Sequence, residues 1–144
     1  MTYKVLIADP LSDEGIYPLT QAENIEISVQ TELTAAELLT EIEQYDALIV
    51  RSQTTVTAEV IAHAKNLKII GRAGVGVDNI DLKAATEKGI IVVNAPDGNT
   101  NSAAEHTMAM LGAPARKIPQ AFQSLKRGKW DRKSYIGVEL KNKK

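Results

Sequence analysis

The sequence predicts an α/β fold in which five parallel strands alternate with helices. Five short apolar runs recur about every 20 residues along the first two thirds of the 144-residue chain, an interval that fits a strand, a crossover helix and two loops. The segments between the runs carry helix-start signals. The runs are Val5–Ala8, Ile25–Val29, Ala47–Val50, Leu67–Ile70 and Ile90–Val93.

The polarity of each run indicates how its strand is covered. Ala47–Val50 and Ile90–Val93 do not alternate with polar residues, so we expect cover on both faces, as in a parallel sheet. In Ile25–Val29 the apolar side chains alternate with Glu26 and Ser28, which indicates a more exposed edge strand.

Helix signals fall between the strands. Thr34 and Glu37 have the spacing of a capping box, and Thr57 is placed to cap the next helix. Asp78 or Asn79 is expected to start a further helix.

We expect Gly89 to end that further helix at its C′ position. Right-handed crossovers then give a flavodoxin-like, doubly wound five-stranded parallel sheet in the order 2-1-3-4-5.

A C-terminal helical arm is predicted after the fifth strand. Ser102–Glu105 is a second capping-box pattern, so a helix should begin near there. It should end or kink near Leu111–Gly112, because Pro114 has no N–H to donate. A second helix is expected from about Pro119, and residues 128–144 are expected to form a loop.

Composition excludes several function classes. Without cysteine there are no disulfides, thiolate catalysts or Cys-based zinc sites. No run has the roughly 20 apolar residues of a membrane span, and no signal region opens the chain, so we expect a cytoplasmic protein without membrane partners. No metal-ligand spacing is present.

The charge is unevenly distributed. Residues 1–105 carry 16 acidic and 7 basic side chains, whereas residues 106–144 carry 2 and 10. A basic tail is compatible with nucleic-acid binding, which would show as a steep salt dependence. Since the tail lacks the interleaved aromatic residues of a nucleic-acid platform, we expect instead that it packs against an acidic surface, and we expect no nucleic-acid partner.

Polar groups follow the third, fourth and fifth runs. Arg51 and Ser52 follow the third, Arg72 leads into a turn beginning at Gly74, and Asn99 lies beyond the fifth. Ligands of open parallel sheets bind outside the carboxyl ends of the strands. Two guanidinium groups beside a glycine-rich turn favour a small anion. The alternative is that one arginine pairs with a surface carboxylate and the glycines only form a turn.

No catalytic residue is predicted. Gly74–Gly76 fails as a dinucleotide fingerprint, because Asn79 stands at the third glycine and Asn94 replaces the acidic residue of the next strand. Neither His63 nor His106 has a neighbour that indicates proton transfer.

Long motifs nevertheless resemble one family. They are Ala47–Ser52, Leu67–Asp81, Val92–His106, Ala115–Ala121 and Gly128–Arg132. Together they resemble the NAD-dependent D-2-hydroxyacid dehydrogenases, and most closely the members that act on 3-phosphoglycerate in serine biosynthesis.

The resemblance implies roles for the strand-end residues. The turn matching Val75 and Gly76 offers backbone N–H groups to the substrate carboxylate, and Val75 also approaches the nicotinamide. Residues matching Arg51, Arg72 and Asn99 line the substrate cleft. The expected substrate-binding residues are Arg51, Ser52, Arg72, Gly74, Val75, Gly76 and Asn99.

The resemblance also implies a division of the chain. Residues 1–98 correspond to the substrate-binding domain and 99–144 to a helical arm leading to the nucleotide-binding domain. The arm, over residues 101–132, is expected to support a homodimer, in which Arg132 could reach a neighbour's substrate phosphate.

Part of the family pattern is missing. The family's G-x-G-x-x-G should follow Val138–Leu140, but the sequence ends at Lys144. We therefore expect a small 2-hydroxy or 2-oxo acid to bind, no tight NAD binding, and no catalysis by this chain alone. Gly112, Pro114 and Lys141–Lys144 depart from the family and suggest a trimmed or redesigned half-enzyme.

Two alternatives remain. The chain could serve another D-2-hydroxyacid dehydrogenase, or it could be a receiver-type signalling module, since Lys4–Asp9 resembles the opening of such domains. A receiver requires an aspartate after the third strand, where this chain has Arg51.

Overall fold

The computed structural model describes residues 2–143 and confirms the predicted fold. Five parallel strands form one sheet in the order β2-β1-β3-β4-β5. The strands are β1 (Tyr3–Ile7), β2 (Ile25–Val29), β3 (Ala47–Val50), β4 (Ile69–Arg72) and β5 (Ile91–Asn94).

The fourth strand differs from its predicted bounds in a way that affects the site. It extends to Arg72, which pairs with Val50 and Asn94 in the register of the sheet. Arg72 is therefore the last residue of β4 and does not lie in the loop after it. Its backbone is fixed by the sheet.

Within residues 2–143, six α-helices and one short 3₁₀ helix, Ile42–Gln44, connect or follow the strands. The α-helices are α1 (Asp13–Thr20), α2 (Ala35–Glu41), α3 (Ala58–His63), α4 (Leu82–Glu87), α5 (Thr100–Ala115) and α6 (Ile118–Lys126). The predicted caps at Thr34 and Thr57 are confirmed: each side chain accepts a hydrogen bond from the backbone N–H three residues later. Gly89 follows the C-cap of α4 with φ +73°, the left-handed conformation expected at C′.

The predicted start of α4 was wrong. Its N-cap is Asp81, whose side chain accepts from the N–H of Ala84 at 2.9 Å. Asn79 does not cap this helix because its side-chain amide is bound to the loop after β3. A tertiary contact thus occupies the side chain that the local sequence favoured as the N-cap.

The core lies mainly between the sheet and α2–α4. Leu6, Leu48 and Ile70 point to that side and are fully buried. The expectation that β5 is covered on both faces was wrong, since Ile91 is 61% and Val93 45% exposed. β5 is an edge strand, and α1 contacts the other edge, at β2.

The chain divides into two compact units, Met1–Asn99 and Thr100–Lys144. In the second unit α5 begins at Thr100, so Ser102 lies inside the helix and does not cap it. The predicted break near Leu111–Gly112 was also wrong. The helix continues through Pro114 to Ala115, although Pro114 has no N–H to donate to the carbonyl of Met110 in the preceding turn.

The next helix begins at Ile118 with Pro119 in its first turn, within one residue of the predicted start. Beyond Arg127 the described residues form neither helix nor strand. Within residues 2–143, no helix combines the length and the apolarity that a membrane crossing requires.

Candidate functional site

A cavity of about 820 Å³ opens at the carboxyl ends of β1, β3, β4 and β5, where the sequence predicted a ligand site. We call it the strand-end pocket. All of its lining residues belong to the first unit. They are Leu11, Ser12, Gly15, Arg51, Ser52, Arg72, Ala73, Gly74, Ala95, Gly98 and Asn99.

The strand-end pocket is positively charged. Arg51 and Arg72 line it, and none of its lining residues is acidic. Arginine binds carboxylate and phosphate through two parallel hydrogen bonds, so two guanidinium groups in one cavity favour a small anion. The structure places no surface carboxylate against either guanidinium among the described residues, which removes the alternative of a simple surface ion pair.

The side chain of Arg72 folds across Gly74. A Cβ at position 74 would lie 1.6 Å from one terminal nitrogen of Arg72, so only glycine leaves room for this conformation. The Nε atom of Arg72 is buried and has no hydrogen-bond partner among the described residues. A buried donor without a partner is costly, and an anion in the pocket would provide one.

Backbone groups of the glycine-rich turn are not all available to a ligand. The N–H of Gly74 donates to the carbonyl of Arg72 at 2.8 Å, so it is already used. The N–H groups of Val75 and Gly76 take part in none of the hydrogen bonds found among residues 2–143. Asn94 steadies the turn, since its side-chain amide donates to the Val75 carbonyl at 2.6 Å.

The loop after β3 presents Arg51 and Ser52. One terminal nitrogen of Arg51 donates to the carbonyl of Pro10 at 3.3 Å, which directs the guanidinium toward the start of α1. Asp9 and Asn79 bind the backbone of the same loop.

The structure brings five of the seven predicted substrate-binding residues into the strand-end pocket. These are Arg51, Ser52, Arg72, Gly74 and Asn99. Val75 and Gly76 belong to the adjoining turn and do not line it. Their roles, like those of the other five, stay predictions.

The sequence analysis did not predict that the start of α1 forms one wall of the strand-end pocket. Leu11, Ser12 and Gly15 line the pocket, and the Ser12 side chain accepts from the N–H of Gly15 at 3.3 Å. The signal was available, since Ser12 precedes Asp13 and Glu14 as an N-cap precedes an acidic first turn. Pro18 lies inside this helix, where a proline is unfavourable, and weakens that signal.

The histidines lie outside this pocket. His63 is exposed on α3, and its ring Nδ1 lies 2.9 Å from the carbonyl of Glu59 in the same helix. His106 is exposed on α5. Among the described residues there is no cluster of three or more histidine or acidic side chains that could hold a metal ion.

Two curated relatives carry the same name. The chain is 58% identical over 140 residues to the D-3-phosphoglycerate dehydrogenase of Archaeoglobus fulgidus, and 49% identical over 140 residues to the human protein of that name. In both cases the alignment covers 97% of this chain and 26% of the relative. The chain therefore spans about a quarter of the length of these relatives.

Solved structures agree with the fold. A protein of Thermus thermophilus matches with a TM-score of 0.83 and 33% identity, covering 95% of this chain and 45% of that one. The NAD⁺-bound 3-phosphoglycerate dehydrogenase of Entamoeba histolytica matches with a TM-score of 0.74 and 28% identity, covering 99% and 45%. The family model for the D-isomer specific 2-hydroxyacid dehydrogenase catalytic domain matches residues 5–134. This chain belongs to the D-isomer specific 2-hydroxyacid dehydrogenase family.

Proposed function

We propose that the chain is the substrate-binding part of an NAD-dependent 3-phosphoglycerate dehydrogenase, and that its strand-end pocket binds 3-phosphoglycerate or its 2-oxo counterpart. The observation that carries the proposal is the pairing of Arg51 and Arg72 in one cavity without an acidic lining residue. Relatives named for this activity, at 49–58% identity, support the choice of substrate over other 2-hydroxy acids.

We infer that the anionic groups of the substrate bind separate partners. The N–H groups of Val75 and Gly76, left without partners among the described residues, suit the carboxylate. The two arginines suit the remaining negative charge, since guanidinium groups bind phosphate oxygens in pairs. Held at both ends, the substrate would present its C2 hydroxyl carbon in one orientation, which is the contribution of this part to hydride transfer.

NAD would supply the hydride acceptor in the whole enzyme, but the described residues do not fit its pyrophosphate. The turn at Gly74–Gly76 opens no helix, because α4 begins only at Leu82. The N–H of Gly74 is already bonded to Arg72. We therefore propose that only Val75 touches the nicotinamide, that the dinucleotide is held by other parts of the longer protein, and that this chain alone is inactive.

We further propose that residues 101–132 support a homodimer. Three apolar side chains of α6, Ile118, Phe122 and Leu125, are each 54–55% exposed and recur at helical spacing on one face. An exposed apolar stripe of this kind marks an interaction surface. Arg132 lies in the same unit, and we keep its contact with a neighbour's substrate phosphate as part of this proposal.

Titration of the chain with 3-phosphoglycerate, followed through backbone amide NMR signals, tests the substrate proposal. We expect selective shifts at Val75 and Gly76. Arg72→Gln should weaken binding by about tenfold to a hundredfold, since a hydrogen bond to a charged group contributes about 1.5–3 kcal/mol. Lys68→Gln is the matched control, because Lys68 precedes the amino end of β4 and its side chain binds Asp46.

Several results of this titration would count against the proposed substrate site. Equal weakening by Lys68→Gln would indicate a general charge effect and count against the strand-end pocket. Shifts spread evenly over the first unit, or no shifts at all, would overturn the proposed function. NADH added in the same way should produce no saturable change.

A further inference from the structure

We propose that Asp9 and Asn79 are positioning residues for the substrate site. They hold the loop at residues 51–54, here called the arginine loop, in the shape that presents Arg51 and Ser52 to the strand-end pocket. This inference rests on the proposed function, since it concerns the same site. Neither residue lines the pocket.

Asp9 binds the donors of the arginine loop. It follows β1 and is only 1% exposed. One carboxylate oxygen accepts from the N–H of Arg51 at 2.5 Å, and the other accepts from the Thr54 hydroxyl at 2.7 Å and its N–H at 3.1 Å. A buried carboxylate needs several donors to offset its desolvation, and here the arginine loop supplies all of those found among the described residues.

Asn79 binds the acceptors of the same loop. Its side-chain amide nitrogen donates to the carbonyls of Arg51 and Thr54, each at 2.7 Å. Asp9 therefore holds the N–H groups and Asn79 the carbonyls of the same two residues. Since both ends are fixed, Ser52 and Gln53 between them have little freedom to move.

Asn79 also connects the two halves of the proposed anion site. Its backbone carbonyl accepts from the N–H of Val56, just beyond the arginine loop, at 2.8 Å. It lies three residues after Gly76, in the segment that continues the glycine-rich turn. Displacing Asn79 would thus move the arginine loop relative to the N–H groups that the proposed function assigns to the carboxylate.

The competing explanation is that Asp9 merely stabilises the sheet. Asp46 offers a control within the same strand pair. It precedes β3 at the opposite end of the β1–β3 pair and accepts from the N–H of Lys4 at 3.0 Å and the Lys68 ammonium group at 2.5 Å. These hydrogen bonds, the one from Lys68 foremost, hold the pKa of Asp46 below its ordinary value.

The test compares Asp9→Ala, Asn79→Ala and Asp46→Ala in this chain. ¹⁵N relaxation of Ser52 and Gln53 reports the order of the arginine loop without any ligand. We expect the order parameters of these two amides to fall in the Asp9 and Asn79 variants and to stay unchanged in the Asp46 variant. The dissociation constant for 3-phosphoglycerate should rise about tenfold in the first two variants alone, because a preorganised loop is lost.

Milder substitutions keep the test decisive if Asp9→Ala does not fold. Thr54→Val removes only the hydroxyl, which donates to Asp9 at 2.7 Å and lies 3.4 Å from the Ala8 carbonyl, and should raise the dissociation constant two- to fivefold. Asp9→Asn retains the shape and one acceptor oxygen, so it should recover part of the binding lost in Asp9→Ala. A purely stabilising role would instead make the loss of binding follow the loss of stability in every variant, Asp46→Ala included.

The two proposals fail in different ways. If the unsubstituted chain does not bind 3-phosphoglycerate, the proposed function fails, while the relaxation data still decide whether Asp9 and Asn79 order the arginine loop. If the unsubstituted chain binds but Ser52 and Gln53 remain equally ordered in the variants, the positioning role is overturned and the proposed function stands.

Discussion

At the scale of single residues, Gly74 shows how an absent side chain shapes a site. A Cβ there would occupy the place of the Arg72 guanidinium, so Gly74→Ala must displace that group. We expect the substitution to weaken 3-phosphoglycerate binding by about tenfold, as for loss of one charge-assisted hydrogen bond, with little loss of stability because the displaced atoms end a flexible side chain. Amide NMR titration and urea unfolding measure the two effects.

Gly71→Ala is the control for this substitution. A Cβ at Gly71, inside β4, would meet its nearest atoms at 3.8 and 3.9 Å, which is ordinary van der Waals contact. Gly71→Ala should therefore leave 3-phosphoglycerate binding unchanged. If Gly74→Ala binds as tightly as the unsubstituted chain, the guanidinium position seen here is not the one that matters for binding.

The sequence could indicate some residues of the site and not others. Arg51 and Arg72 could be singled out because each stands at the carboxyl end of an apolar run. Asp9 and Asn79 could not be assigned a role in the site, because most of their partners are backbone groups far along the chain, 42 residues away in the case of Asp9 and Arg51. Backbone partners leave no mark in the sequence.

At the scale of helices and strands, the cap signals at the starts of α2 and α3 succeeded. The caps at Thr34 and Thr57 depend only on residues one turn away, and both formed. The start of α4 was displaced because Asn79 is used by the arginine loop. The break near Gly112 was expected from Pro114, yet α5 continues through both residues.

Two glycines of the second unit test this interpretation. Gly112 lies inside α5, whereas Gly128 follows α6 with φ +73°, and an added Cβ would meet nothing within 4 Å at either position. Gly112→Ala should stabilise the unit by about 0.5–1 kcal/mol, because alanine loses less backbone entropy in a helix. Gly128→Ala should destabilise it by about 1–2 kcal/mol, because a left-handed conformation is costly for an L-residue.

Urea unfolding followed by far-UV circular dichroism and by the amide signals of α5 and α6 measures both changes. We expect the two substitutions to change the free energy of unfolding in opposite directions, although the space around the two glycines is equally open. Stabilisation by both substitutions would show that the conformation at Gly128 is not held in solution.

At the scale of the whole molecule, the spacing of apolar runs was sufficient to predict the strand order. Right-handed crossovers leave few arrangements for five strands in sequence. The exposure of β5 could not be predicted. An apolar run shows that burial of the strand is favourable, but it does not show which helix covers the strand. Ile91 and Val93 remain exposed since α1 contacts the opposite edge.

The same reasoning applies to the proposed homodimer, because the apolar face of α6 needs a partner surface. Phe122 is central to that face and 55% exposed. Phe122→Asp would place a charge in the interface and should convert a dimer into a monomer in sedimentation velocity, since an unpaired buried charge is strongly unfavourable. Gln120→Asp, on the opposite side of α6, adds the same charge and should leave the dimer intact. If the unsubstituted chain sediments as a monomer at every concentration, or if both substitutions act alike, α6 does not provide the dimer contact.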